Sequence, residues 1–264
     1  MKSDEPFTSF ANRAVATTAW GACAAAALLA GQACHTLRRR DLPSVVGSDA
    51  SGVEHAPFGT DRVLRLAAAG DSTLTGPGLA DSGDIWVRQV ARRLAVSEGA
   101  HIHLTSYAVG GSRVRDVLHD QLEPLVAASP DLVVVAVGTN DAIHFTPLDS
   151  VERDFQVLVE HLVAVVPAVV VGGVGDLGGI ARVPYPLSRA LGARGRRVNR
   201  VIRAVAAAHG ARYIDVSTVD SAFRRGGDRV FAAELFHPNA HGHALWANAA
   251  SPVVAHAARS ISRR

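Results

Sequence analysis

Short unbroken apolar runs, each closed by glycine or small polar residues, alternate along the chain with longer stretches in which apolar residues recur every three or four positions. Runs of the first kind predict buried strands of a parallel sheet, and stretches of the second kind predict amphipathic helices. Leu64 to Ala69 closes on Gly70-Asp71-Ser72, His101 to Val109 on Gly110-Gly111, and Leu132 to Val137 on Gly138-Thr139-Asn140-Asp141. Val169 to Val171 runs into a loop from Gly175 to Pro186, and Arg212 to Val216 predicts a short fifth strand. Between them lie helical stripes on Trp86, Val87, Val90, Ala91 and Leu94, on Val114, Val117, Leu118, Leu122 and Leu125, and on Val151, Phe155, Leu158, Val159 and Leu162. A long helix is expected on Leu191, Val198, Val201, Ile202 and Val205. An irregular stretch carrying Glu234 and His237 then leads to a closing helix from about Ala240.

Strict alternation of strand and helix predicts an α/β domain, its parallel sheet covered by helices on both faces. Five strands suit a flavodoxin-like three-layer α/β/α sandwich. The folded domain is expected over residues 61–264, preceded by a linker at 41–60, where Pro, Gly, Ser and Asp occur without period.

Before the linker, residues 1–40 form a different region. Ala14 to Ala33 is a stretch of twenty uncharged residues between Arg13 and Arg38-Arg39-Arg40. That is membrane-spanning length, but alanine dominates it and Thr17, Thr18 and Gln32 interrupt it. A membrane anchor, a cleaved signal segment and a soluble tail all stay open, so the chain is expected to be either tethered by one N-terminal helix or secreted, with orientation unresolved. Because the segment carries no candidate catalytic group, a chain beginning near Asp41 is expected to be soluble and active.

At 264 residues the chain is long enough for one substantial core and implies no second catalytic domain. The formal charge is only +3, with arginines scattered and aromatics scarce, which argues against a nucleic-acid partner. Both cysteines, Cys23 and Cys34, fall in or just after the N-terminal apolar segment, which excludes a disulfide framework or thiolate metal site in the domain.

Candidate chemistry gathers where the strands end. Open α/β sheets keep their sites at the carboxyl ends of strands, and Ser72, Gly111, Asn140 and His237 each follow one. A serine nucleophile needs a base, and its tetrahedral intermediate needs donors for the oxyanion.

Gly70-Asp71-Ser72 with Gly76, Gly111 with Asp116, Gly138-Thr139-Asn140-Asp141, and Glu234-x-x-His237-Pro238-Asn239 together resemble the four blocks of the SGNH, or GDSL-type, esterase and lipase family. The resemblance runs from about Arg65 to Ala249. It implies the SGNH hydrolase fold, with Ser72 as nucleophile, His237 as general base, and an oxyanion hole of Ser72 N–H, Gly111 N–H and the Asn140 amide. Two departures stand out: Ser106-Tyr107-Ala108 replaces an Asn before the second-block Gly, and Glu234 stands where the family usually has Asp. Glu234 is expected to be the third triad member, against a dyad in which a backbone carbonyl orients His237.

The expected activity is hydrolysis of small or lipid-like carboxylic esters through an acyl-enzyme, with no cofactor and no metal. Leu74, Ile143 and Phe145, together with Leu79, Leu177 and Ile180, are expected to wall the acyl pocket. An O-acyltransferase or deacetylase acting on a sugar or lipid acceptor, and a non-catalytic membrane-tethered binding module, are the rival readings. Gly173 to Gly178 matches a dinucleotide fingerprint by letter only, since no helix is expected to open there. His241 and His243 are expected on a helix surface or substrate rim.

Overall fold

The computed structural model describes residue 24, residues 26–36 and residues 47–261. The expected segment at 14–33 therefore lies partly outside the described residues, as do Cys23, Arg38 to Arg40 and the start of the linker. Helix α1 covers residues 26–36. There follow β1 (Gly52–Glu54), β2 (Val63–Gly70), the one-turn α2 (Ser72–Thr75), α3 (Trp86–Glu98) and β3 (His101–Ser106). A broken helix comes next, α4 (Val114–Asp116) and α5 (Leu122–Ala127) joined by a π-helical turn at Val117–Gln121. Then come β4 (Leu132–Ala136), α6 (Thr139–Ile143), α7 (Leu148–Val165), β5 (Ala168–Gly172), α8 (Leu187–Ala208), β6 (Arg212–Ile214), α9 (Asp220–Gly226) and α10 (Ala240–Ile261).

The sheet has six strands in the order β1-β3-β2-β4-β5-β6. Five are parallel, as expected; the sixth, β1, pairs antiparallel with β3 at the edge. β1 arises inside the stretch expected to be linker. What holds it is Arg88 of α3, which donates to the Ser51 carbonyl at 2.7 Å and pairs with Glu54 at 2.7 Å. Those long-range partners leave no trace in local periodicity.

Period-two alternation divides the sheet's side chains between two cores. Ala67, Ala69, Val133 and Val135 face α7 and α8, whereas Leu66, Ala68 and Val134 face α3 and α10. Both β4 and β5 are buried at every position, which is why each reads as a continuous apolar run.

Helix α1 lies on the domain. Leu29 and Ala33 pack against the core under α7 and α8, Gln32 bonds the backbone of Tyr185 and Leu187, and Thr36 is buried. The spacing 29, 32, 33, 36 is one helical face. Among the described residues no helix is long and apolar enough to cross a membrane.

Candidate active site

Strand order reverses between β2 and β4, and that switch point is where an open sheet leaves a crevice. β2 ends at Gly70 with φ of 153°, and a Cβ there would stand 1.9 Å from the Ala136 carbonyl oxygen. Only glycine lets the chain pass so close to β4 while turning. Asp71 N–H donates to that same carbonyl at 3.1 Å, and the Asp71 carboxylate caps α2 by accepting from Thr73 N–H at 3.0 Å. Ser72 is thereby delivered as the first residue of α2, half-buried at the head of the crevice. Burial, with Asp141 nearby as a smaller cause, pushes the Asp71 carboxyl up to about 6.

One buried amide laces the first blocks together. Gln121 accepts from Gly70 N–H at 2.8 Å and donates to the Gly70 carbonyl at 3.0 Å and to Ser112 Oγ at 3.1 Å. The π-helical turn at 117–121 rotates that side chain inward, a widened turn of the kind found at functional sites. Gly111, with φ of 87°, adjoins Ser112, whose carbonyl accepts from Asn140 Nδ2 at 3.0 Å. Asp141 accepts from Val114 N–H at 2.9 Å. Gly70, Gly111 and Asn140 are thus tied into one network through Gln121 and Ser112.

His237 stands at the end of a tight turn closed by Ala232 N–H on the His237 carbonyl at 2.8 Å and Leu235 N–H on the Ala232 carbonyl at 2.9 Å. Glu234, 6% exposed, points one carboxylate oxygen, Oε1, at both the His237 backbone N–H and ring Nδ1, each at 2.8 Å. A carboxylate can only accept, so the ring proton sits on Nδ1 and Nε2 is left as an acceptor. Burial lowers the His237 pKa below its ordinary value, and the Glu234 carboxylate acts against that shift.

Ser72 and His237 border the same pocket, of about 70 Å³. Its apolar wall is Leu177, Ile180, Phe223, Phe231, Phe236 and Trp246. The rim is charged: Arg224 pairs with Asp176 at 3.1 Å, and burial followed by the neighbouring Asp176 pushes the Asp220 carboxyl up to about 6.

Of the expected acyl-wall residues, Leu177 and Ile180 line the pocket. Leu74, Ile143 and Phe145 do not. Leu74 is fully buried in the core beneath α3, because the single turn of α2 aims it back under Gly70. Ile143 packs into the opposite core, and Phe145 is 53% exposed beneath the Arg194 guanidinium. The aromatic wall comes instead from 223–246, which takes in part of α9, an irregular stretch and the start of α10. His241 is exposed as expected, whereas His243, 1% exposed, is no helix-surface residue but does line the pocket that Ser72 and His237 border. The His243 Nδ1 accepts from Trp86 N–H at 3.2 Å, supplying the cap that Ile85 lacks at the start of α3. Gln121 went unforeseen, although a lone polar residue on the apolar stripe of Val114, Leu118 and Leu125 was its signal.

A strand-end serine, a carboxylate-bound histidine and an amide network at the switch point of a three-layer α/β fold are the parts from which serine hydrolases are built. Residues 68–245 match the model of the GDSL-like lipase/acylhydrolase family, and the chain belongs to that family. It is 30% identical over 188 residues to the GDSL-like esterase Rv1075c of Mycobacterium tuberculosis, a match covering 70% of this chain and 60% of that protein. The chain therefore spans about three-fifths of that curated relative's length. In fold it is similar to an acetylxylan esterase from Geobacillus stearothermophilus (TM-score 0.55, 22% identity, 83% of this chain and 96% of that one). A lipolytic protein of the G-D-S-L family from Veillonella parvula is similar too (TM-score 0.59, 23% identity, 72% and 97%).

Proposed function

We infer that this protein hydrolyses short-chain carboxylic esters through an acyl-enzyme on Ser72. The observation that carries the reading is the single Glu234 oxygen holding both the backbone and the ring of His237 beside the pocket that Ser72 borders. With its tautomer fixed, His237 takes the Ser72 proton as the hydroxyl attacks the carbonyl and returns it to the leaving alcohol. Ser72 N–H, Gly111 N–H and the Asn140 amide receive the oxyanion, and Ser112 orients that amide. Glu234 is the third triad member: its longer side chain is accommodated because it folds back on its own turn, bonding backbone as well as ring.

The acyl size follows from the pocket. A cavity of about 150 Å³ admits benzene, and a pocket of about 70 Å³, half of that, favours a short acyl group such as acetyl. The acetylxylan esterase whose fold this chain shares acts on an acyl group of that size. The test combines fluorophosphonate labelling with a p-nitrophenyl ester series. Labelling should vanish in Ser72→Ala, and kcat/KM should be greatest at two to four carbons. Labelling that survives Ser72→Ala overturns the nucleophile, and a maximum at eight carbons or more overturns the acyl size.

A further inference from the structure

The turn that carries Glu234 and His237 is gripped from outside by one residue that the chemistry above does not use. Arg182 N–H donates to the Leu235 carbonyl at 3.0 Å, and its guanidinium Nη1 donates to the Glu234 carbonyl at 3.0 Å. The same guanidinium reaches back through Nε to the carbonyl of Thr36, the last described residue of α1, at 3.3 Å. Arg182 thus spans two segments 198 positions apart in the chain, Thr36 and Glu234.

The turn needs such a grip. Leu235 has φ of 60°, a left-handed conformation that costs an ordinary side chain on the order of 1 kcal/mol and persists only where neighbours over-determine it. Two of the neighbours that do so are the bonds Arg182 makes to carbonyls 234 and 235. The position of Arg182 is fixed in turn by α1. Gln32 acts as a two-bond clasp on the same loop, donating to the Tyr185 carbonyl at 2.8 Å and accepting from Leu187 N–H at 3.2 Å. Ile180, on the pocket wall, is two residues from Arg182 and accepts from Val183 N–H at 3.0 Å.

We propose that Arg182 is a positioning residue for the Glu234–His237 pair, and that docked α1, through Gln32 and Thr36, holds it in place; the proposal rests on the triad reading of those two residues. Helix α1 is then a working part of the hydrolase. Loss of the grip lets the Glu234 carboxylate drift from the imidazole, which weakens the base and its orientation while the pocket that binds the ester is largely unchanged. The groups facing His237 among the described residues are Glu234, from its own turn, and His243, from α10.

Full-length Arg182→Ala, Arg182→Lys and Gln32→Ala test this by steady-state kinetics and by NMR titration of the His237 ring. Arg182→Ala should lower kcat about tenfold with KM little changed, as a small misplacement of a catalytic group does. The His237 midpoint should move down, because the carboxylate is what raises it against burial. Arg182→Lys keeps the charge without the fork and should recover part of the rate, and Gln32→Ala should move both readouts the same way by less. Unchanged kcat and an unchanged His237 midpoint in Arg182→Ala and Gln32→Ala overturn the proposal, as does a fall in thermal midpoint alone. The two failures are separable: turnover surviving Ser72→Ala sinks the triad reading, while the His237 titration still judges the grip.

Discussion

At the scale of single residues, the balance at His237 sets the pH at which the protein should work. The ring must be neutral to accept a proton, so activity rises with pH through its folded pKa. Burial places that pKa below the ordinary value of about 6.5, and Glu234 limits the fall. The acid limb of kcat/KM should therefore have its midpoint under 6.5. Glu234→Gln should shift it lower and cut the rate by up to the order of 10⁴, since an amide can present its donor to Nδ1 and impose the wrong tautomer. Glu234→Asp should retain measurable turnover. If Gln and Ala at 234 both leave rate and midpoint untouched, a dyad replaces the triad. That Ser72 and Asn140 follow strand ends, and that Glu234 and His237 share one turn, was legible in the sequence because turns are marked by residue types that interrupt apolar runs. The aromatic part of the pocket wall was not, because Phe223 of α9, the loop residues Phe231 and Phe236, and Trp246 of α10 meet only through the tertiary fold.

Among the elements, the π-helical turn has the clearest testable role. Without Gln121 the Gly70 N–H loses its buried partner, which costs about 1–3 kcal/mol, while the Gly70 carbonyl keeps the Val109 N–H. Gln121→Leu should accordingly lower the urea midpoint and slow fluorophosphonate labelling of Ser72, since the strand end that carries the serine is released. Unaltered labelling would mean that Asp71 and Gly70 hold the turn alone. The cap on α3 predicts a second behaviour. His243 is held neutral, its pKa lowered to about 3 chiefly by burial, whereas the unfolded chain protonates near the ordinary 6.5. Its stabilising contribution is full above about 6.5 and drains as pH falls towards 3. Urea melts of His243→Gln should show lower stability at pH 7 and a shallower loss between pH 6.5 and 4 than the parent; parallel curves would remove His243 as the cause. The parallel strands and α3, α7 and α8 were legible from periodicity alone. β1 was not, since Gly52 to Glu54 is too short to show a period and is held by Arg88 from another element.

For the whole molecule, the sequence suggested an N-terminal region separable from the domain, and the structure joins the two. A chain beginning near residue 41 loses the Gln32 clasp, the burial of Leu29 and Ala33, and the Thr36 contact with Arg182. It should fold around the same sheet, melt at a lower temperature and turn over esters more slowly than the full chain; equal kcat in both would restore the separable reading. The far end of the chain has a consequence of another kind. Helix α10 lies against α3, with His243 on Trp86, Ser251 on Arg93 and Arg259 paired to Glu98 at 2.9 Å. On the ribosome, the face of the sheet formed by Leu64, Leu66 and Ala68 is made, together with α3, well before the second helix that covers it. Each nascent chain must therefore carry that apolar face half covered, by α3 without α10, until residues Ala240–Ile261 have left the ribosome exit tunnel.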